Sequence, residues 1–236
     1  MNENKLSELE KKIKVTFKNK TLLKNAFVHR SYLNENHAFD LPSNERLEFL
    51  GDAVLEFCVS QYLFTHFSEK REGDLTSYRS ALVCTESLSQ ISLELQFGNY
   101  LFLSRGEEAT GGRERPYILA NTFEALLGAI FLDQGIKKAD AFVLRFLIPH
   151  LDEILDKGSY RDAKSQLQEV TQEKVGITPH YEVIEESGPD HDKNFIMGVY
   201  LDSNKIGEGK GKSKQKAEQS AAADAISNWG NASQSD

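Results

Sequence analysis

Acidic residues recur along one predicted helix, which covers residues 44–55 and the turn that follows them. Glu45, Glu48 and Asp52 are three and four positions apart, so they project from one helical face, and Glu56 extends the row. Neighbouring carboxylates on a helix repel one another, and no lysine or arginine four positions further on relieves that repulsion. A hard divalent cation that prefers oxygen ligands, Mg²⁺ or Mn²⁺, would relieve it.

The same row of acids would also suit a solvated helix face, so spacing alone leaves both interpretations open. Spacing does not select among the four acids either. Glu48 and Asp52 are separated by about 6 Å along the helix axis, whereas Glu45 and Glu56 are separated by about 16 Å. One metal ion could therefore join the inner pair but not the outer pair.

A second predicted helix is almost continuously apolar over residues 118–131, but Asn121, Thr122 and Glu124 interrupt it. Asn121 and Glu124 are three positions apart and share a face. A buried carboxylate without a partner is costly, so Glu124 requires a metal ion, a proton or an arginine such as Arg79. If the two helices face each other, they form a carboxylate-rich pocket of the kind that metal-dependent phosphoryl transfer uses.

Basic residues gather near the end of the chain, where five lysines and a single acid, Glu208, occupy residues 205–216. Ser213 is a good N-cap for the helix that follows, and a helix N-terminus flanked by lysines attracts anions. Residues 211–213 resemble the end of a phosphate-binding P-loop, but Ile206 stands where that motif requires its first glycine. The segment therefore indicates either phosphate contacts of another kind or a solvated lysine run.

Composition limits the possible classes of protein. The 236 residues are 39% hydrophobic and 27% charged, as in soluble globular proteins, and no run of about 18 apolar residues predicts a membrane span. The first residues lack the apolar region of a signal peptide, and Cys58 and Cys84 are predicted to be reduced core residues, so we expect a cytoplasmic protein. Because the net charge is −8, a polyanion would have to bind to a local basic cluster.

Two regimes divide the chain, and they predict two domains. The first, residues 1–157, has helical periodicity throughout, with helices near residues 21–33, 44–67, 73–83, 85–95, 116–133 and 137–154. The second, residues 158–230, has a helix, three short strand-like stretches and an alanine-rich helix. The predicted fold class is an all-α N-terminal domain followed by a small α+β domain of order α-β-β-β-α.

The ordered blocks resemble bacterial ribonuclease III over nearly the whole chain. Residues 44–55 are similar to the signature helix of that family, and residues 120–133 are similar to its second metal-binding helix. Residues 29–32, 72–75 and 106–112 resemble further family blocks in the same order. The last third is similar to a double-stranded RNA-binding domain at residues 167–169, 188–191 and 211–214.

The resemblance implies a homodimeric endoribonuclease that cleaves double-stranded RNA with Mg²⁺, for which Mn²⁺ could substitute. Glu48, Asp52 and Glu124 match metal ligands of the family, Asn121 stands at a fourth ligand position, and Glu45 matches an acid that lines the catalytic valley. The expected catalytic residues are thus Asp52, Glu124 and Glu45. Each dimer would hold two sites in its catalytic domains, cutting both strands to leave short 3′ overhangs with 5′-phosphate and 3′-hydroxyl ends.

Two further expectations follow from the resemblance. Phe49 matches a residue at the subunit interface. The RNA-binding domain would recognise the A-form shape of the duplex at its grooves and phosphates. No membrane partner is expected. Its expected RNA contacts are Gln168, Glu169, His191, Lys212, Ser213 and Lys214.

The chain departs from the family pattern at two places. Asn121 replaces the usual aspartate, which removes one negative charge and leaves a single carbonyl oxygen as a ligand. Gln215 replaces a frequent lysine, while Lys216 adds one a position later, about 100° further around the helix.

Three functions remain open from the sequence. The first is an active endoribonuclease, with ribosomal and messenger RNA processing as its expected role. The second is a protein that binds double-stranded RNA but cleaves it poorly, for which Asn121 is the motive. The third, a metal-dependent phosphatase for small substrates, would leave the basic domain without a purpose.

Overall fold

The computed structural model describes residues 2–156, 163–189 and 193–232, and the chain divides into two compact units, Met1–Tyr160 and Arg161–Asp236. The described part of the first unit is helical. Its helices are α1 (Glu3–Ile13), α2 (Lys20–Asn25), α3 (Arg30–Glu35), α4 (Glu45–His66), α5 (Glu72–Leu82), α6 (Thr85–Glu94), α7 (Arg105–Ala109), α8 (Pro116–Gln134), α9 (Ile136–Phe146) and α10 (Leu151–Asp156). Short 3₁₀ turns lie at Phe97–Tyr100, Gly112–Glu114 and Ile148–His150.

Helix α8 is the centre of the first unit. From Ile118 to Ile130 its side chains are buried at every position except Asn121 and Glu124, which are half-buried. Helices α4, α6 and α9 pack around it, and the Ser92 hydroxyl of α6 donates a hydrogen bond to the Leu119 carbonyl at 2.9 Å. A helix that is apolar on nearly all sides belongs in the core. Its two half-buried polar residues, Asn121 and Glu124, are therefore candidates for a functional site.

The predicted helix at residues 21–33 is wrong as a single element, because the chain forms α2 and α3 with a break between them. Across the break, the backbone of Phe27 and His29 pairs with Phe102: Phe102 N donates to Phe27 O at 2.9 Å, and His29 N donates to Phe102 O at 3.2 Å. A backbone that pairs with a distant segment cannot also complete helical hydrogen bonds. This contact joins residues far apart in the sequence, so local periodicity could not show it.

The predicted helix at residues 137–154 is also interrupted. Helix α9 ends at Phe146, and a 3₁₀ turn over Ile148–His150 precedes α10. Pro149 lies in that turn, and proline lacks the amide hydrogen that a continuous helix would need.

The second unit contains α11 (Ala163–Val175), strands β1 (His180–Ser187), β2 (Asn194–Leu201) and β3 (Asn204–Gly211), and α12 (Lys214–Ala232). The strands form an antiparallel sheet in the order β1-β2-β3. The core side of β2 is apolar, and alanines of α12 pack against it together with Leu167 of α11. The order α-β-β-β-α and the helical first unit confirm the predicted fold class.

The predicted domain boundary at residue 157 lies among residues 157–162, outside the described ranges. Cys58 is buried as predicted, but Cys84 is exposed at the N-cap of α6, so the prediction that it is a core residue is wrong. No helix in the described ranges is long and apolar enough to cross a membrane.

Candidate metal centre and RNA-binding surface

Two glycines allow α4 and α8 to cross at very short distance. A Cβ atom added to Gly51 would lie 1.7 Å from the Glu124 carbonyl oxygen, and one added to Gly128 would lie 2.3 Å from the Leu47 carbonyl oxygen. Only glycine leaves room for such an approach of two backbones. The crossing brings the α4 turn with Glu48 and Asp52 beside the α8 turn with Asn121 and Glu124.

The outer acids of α4 have arginine partners from other helices. Glu45 accepts a hydrogen bond from the Ser43 hydroxyl at 2.7 Å and lies 3.5 Å from Arg30 of α3. At the other end, Glu56 lies 3.8 Å from Arg79 of α5. These partners are far away in the sequence or on another element, so helical spacing could not reveal them.

Arg79 does not pair with Glu124, which was the alternative that the sequence left open. Its guanidinium donates to the Ser60 hydroxyl at 2.9 Å and faces Glu56. In the described part of the chain, no salt bridge to lysine or arginine involves Glu48, Asp52 or Glu124. Tertiary structure thus separates the two paired outer acids from an inner group on α4 and α8.

The inner acids act on one another. Burial raises the pKa of Glu124 to about 7, and the charges of Asp52 and Glu48 contribute to that rise. Burial also raises the pKa of Glu48, while the polar side chain of Asn121 opposes the rise.

The donor set suits a hard cation such as Mg²⁺, because it offers carboxylate oxygens and one amide carbonyl with excess negative charge. Glu48, Asn121 and Glu124 are half-buried, and Asp52 is exposed. Within the described ranges, no group of three or more His, Cys, Asp or Glu side chains is assembled so that it could hold a metal ion as it stands. A bound cation would have to draw the carboxylates together against their mutual repulsion. The ligand set therefore stays a prediction.

His29 is the N-cap residue of α3, the helix that carries Arg30. Its ring accepts a hydrogen bond from the Ser31 backbone at the start of α3, and burial lowers its pKa. The charges of Glu107, Arg30, Glu45 and Arg115 all act on it. The pair Arg115–Glu107 thus lies near the pair Arg30–Glu45, a neighbourhood that the sequence analysis missed.

Aromatic side chains are exposed along α4 next to its acidic side. Phe49 is 82% exposed, Phe57 is 55% exposed and Phe64 is 77% exposed. Their spacing of eight and seven residues keeps them on neighbouring sides of the helix. A row of large exposed apolar side chains usually marks a surface that another protein covers.

In the second unit, the predicted RNA contacts in the described ranges lie at exposed positions. Gln168 and Glu169 are exposed on α11 beside the fully buried Leu167. Lys212, Ser213 and Lys214 are exposed at the start of α12, a helix that packs against α11. His191 lies outside the described residues.

Glycines of β3 hold α12 close to the sheet and so fix where its N-terminus points. A Cβ atom added to Gly207, Gly209 or Gly211 would lie 2.6, 2.1 or 2.5 Å, respectively, from the nearest backbone atom of α12. The Ser213 hydroxyl accepts a hydrogen bond from Lys216 N at 3.3 Å, which confirms the predicted N-cap. Lys205 is engaged with Glu208 at 2.9 Å, so the lysines of residues 205–216 are not equivalent.

Comparisons with known proteins agree on both units. The family described as Ribonuclease-III-like matches residues 19–151, and the double-stranded RNA binding motif matches residues 163–228. The chain is 44% identical to Ribonuclease 3 of Pelotomaculum thermopropionicum, with 95% of this chain and 93% of that protein covered. It is 47% identical to Ribonuclease 3 of Oceanobacillus iheyensis, with 94% and 97% covered.

The first unit also resembles a solved structure. The nuclease domain of ribonuclease III from Campylobacter jejuni, which has a region involved in dimer formation, superimposes with a TM-score of 0.56 at 41% identity. The match covers 60% of this chain and 95% of that domain.

Proposed function

Since this chain belongs to the ribonuclease III family, we propose that it cleaves double-stranded RNA with Mg²⁺ held where α4 crosses α8. The chain is an endoribonuclease of the ribonuclease III type. The observation that supports the site is the position of Glu124, whose pKa is raised by burial and by the charges of Asp52 and Glu48, with no lysine or arginine partner among the described residues. Mn²⁺ offers the same preference for oxygen ligands and would substitute.

Each residue of the site has a proposed task. Glu48, Asp52 and Glu124 would hold the ions, which when bound supply an activated water and stabilise the leaving oxygen. Asn121 lowers the pKa of Glu48 and would offer its one carbonyl oxygen to a cation. Glu45, fixed by Ser43 and Arg30, would line the cleft in which the RNA strand lies. The products would carry 5′-phosphate and 3′-hydroxyl ends.

A second copy of the chain is the proposed partner of the aromatic row on α4. Phe49, Phe57 and Phe64 would be buried in a homodimer of catalytic domains, which the dimer-forming region of the similar Campylobacter jejuni domain supports. Two sites in one dimer would cut the two strands and leave short 3′ overhangs. The RNA-binding unit would hold the duplex, with ribosomal and messenger RNA processing in the cytoplasm as the proposed role.

Cleavage of a long RNA duplex tests this function. The purified chain is expected to cut the duplex in Mg²⁺ and in Mn²⁺ at neutral and mildly alkaline pH, to leave single-stranded RNA largely intact, and to release 5′-phosphorylated products. Glu124→Gln is the matched inactive control. An intact duplex in both metals would contradict the proposal.

The neutral side chain of Asn121 in the acidic site supports a second candidate, a protein that binds double-stranded RNA but cleaves it slowly. A neutral amide reduces the negative charge of the site by one relative to aspartate. Comparison of this chain with Asn121→Asp in one cleavage assay separates the candidates. Equal rates remove the case for impaired catalysis, whereas a gain of several orders of magnitude in the variant favours the binding protein.

A further inference from the structure

Tyr117 is an exposed aromatic residue on the same side of α8 as the acidic site. It precedes Asn121 by four positions and Glu124 by seven, and these spacings keep all three side chains on one helical face. The residues that follow it, Ile118 to Ala120, are buried in the core, whereas Tyr117 is 47% exposed. The ring therefore lies about one helical turn, roughly 5 to 6 Å along the axis, from Asn121.

An anchored arginine supports the ring. The Arg115 guanidinium lies 5.9 Å from the centroid of the Tyr117 ring, and its Nη1 lies 3.5 Å from the Tyr117 hydroxyl. Arg115 is itself fixed, because Nη2 donates to the Thr110 carbonyl and hydroxyl at 2.9 Å and Nη1 pairs with Glu107. Three contacts hold the Arg115 guanidinium, and the guanidinium in turn restrains the Tyr117 ring. A restrained ring loses little conformational freedom when a ligand contacts it.

A chain of contacts also connects this pair to the start of α4. Glu107, which pairs with Arg115, lies on α7, and Ser104 N at the start of α7 donates to the Ser31 hydroxyl of α3 at 3.1 Å. Arg30 of α3 in turn lies 3.5 Å from Glu45, the first residue of α4. Tyr117 consequently lies at the rim of the acidic group, where an RNA strand bound across the acids would pass.

We propose that Tyr117 is a substrate-contacting residue that places its ring against a ribose, and its hydroxyl on a backbone oxygen, of the strand being cut. This inference rests on the proposed function, because it takes the acids of α4 and α8 as the cleavage site. An A-form duplex presents its riboses and their 2′-hydroxyls in a wide, shallow minor groove, which an exposed tyrosine can reach. A tyrosine suits that environment because it has an apolar body and a polar tip.

Kinetics on a defined RNA duplex test the contact. Tyr117→Ala is expected to lower kcat/KM about 10-fold, and Tyr117→Phe, which retains the ring, about 3-fold. Leu93→Ala is the matched control, because Leu93 is 48% exposed on α6 and has no place in the site. Circular dichroism and thermal unfolding confirm that each variant folds.

A cross-linking readout separates contact from a structural role. A photoreactive phenylalanine derivative at position 117, in a Glu124→Gln background that keeps the duplex intact, should cross-link to nucleotides next to the phosphate that the unchanged protein cuts. The same derivative at position 93 should not. If Tyr117→Ala loses activity but position 117 does not cross-link, the ring only supports Arg115 and the inference is overturned.

The outcomes keep the two proposals apart. If the unchanged protein cleaves the duplex while Tyr117→Ala retains its kcat/KM within twofold, the inference fails and the proposed function stands. If the unchanged protein does not cleave, the proposed function fails, and cross-linking at position 117 then decides whether the contact exists in an RNA-binding protein.

Discussion

The crossing of α4 and α8 and the corner of β3 and α12 use the same packing device for opposite purposes. In both regions glycines let a helix approach another backbone, at Gly51 and Gly128 in the first and at Gly207, Gly209 and Gly211 in the second. The first crossing brings acids into a half-buried group that needs a counter-charge. The second leaves Lys212 and Lys214 exposed at a helix start.

The two regions depend on tertiary packing to different degrees. A group of coupled carboxylates exists only where two distant segments meet, so its chemistry is a property of tertiary packing. Exposed lysines at a helix N-terminus attract phosphates through a local arrangement that the sequence already specifies. We therefore expect changes in the first region to act sharply on catalysis, and changes in the second region to act gradually on affinity.

The largest expected effect comes from closing the gap between α4 and α8. In Gly51→Ala the new methyl group would collide with the Glu124 backbone, so we expect a loss of about 3 kcal/mol of unfolding free energy and of cleavage activity. Gly106→Ala is the matched control, since a Cβ there meets nothing within 4 Å. Urea unfolding measures the unfolding free energy of each variant, and a cleavage assay measures its activity. Near-equal stability of Gly51→Ala and Gly106→Ala would contradict the close approach of α4 and α8.

The next effect isolates the charge of Glu124. Its pKa is raised from 4.5 to about 7, so the carboxylate destabilises the fold as pH rises above its ordinary pKa, and fully above pH 7. In metal-free buffer, Glu124→Gln should gain about 2 kcal/mol of stability relative to the unchanged protein at pH 8 and little at pH 5. The same variant should lose RNA cleavage.

Glu56→Gln serves as the control for that measurement, because Glu56 faces Arg79 instead of other acids. Urea unfolding of all three proteins in EDTA at both pH values provides the comparison. A gain for Glu124→Gln that is the same at pH 5 and pH 8 would show that the carboxylate is not the cause.

A smaller, graded effect is expected in the second region. Lys214→Ala should weaken binding to an RNA duplex and reduce the slope of log affinity against log salt concentration by about 1. Lys205→Ala should change the slope less, because Lys205 is already engaged with Glu208. Fluorescence anisotropy at several salt concentrations measures both slopes, and identical slopes would remove the distinction between the lysines.

The smallest effect concerns His29, the N-cap residue of α3. Because burial lowers its pKa below 6.5, the unfolded chain takes up a proton first, and stability should fall as pH decreases below 6.5. His29→Asn keeps a capping side chain without titrating in this range. Thermal unfolding between pH 5 and 8 should show the unchanged protein losing more stability than the variant at low pH, and parallel curves would contradict the assignment.

Much of the fold was predictable, and the failures have physical causes. Periodicity identified α4 and α8, and turn residues identified the three strands, because those signals are local. The break between α2 and α3 was missed because it depends on backbone pairing with Phe102. Cys84 was misplaced because an apolar neighbourhood in sequence did not show that the residue caps α6 at the surface.

The donor chemistry can be recognised in the amino-acid sequence alone, from acids three and four residues apart, a polar insert in an apolar helix, and lysines beside a serine N-cap. The sequence also determined the family. It could not choose among the acids, since Glu45, Glu48, Asp52 and Glu56 share one row. Tertiary contacts distinguish these acids, because Glu45 and Glu56 have arginine partners from α3 and α5, whereas the charges of Asp52 and Glu48 act on Glu124. The sequence could not distinguish these acids because charge interactions and close backbone packing depend on distances between residues on different helices. Spacing along a single helix does not give those distances.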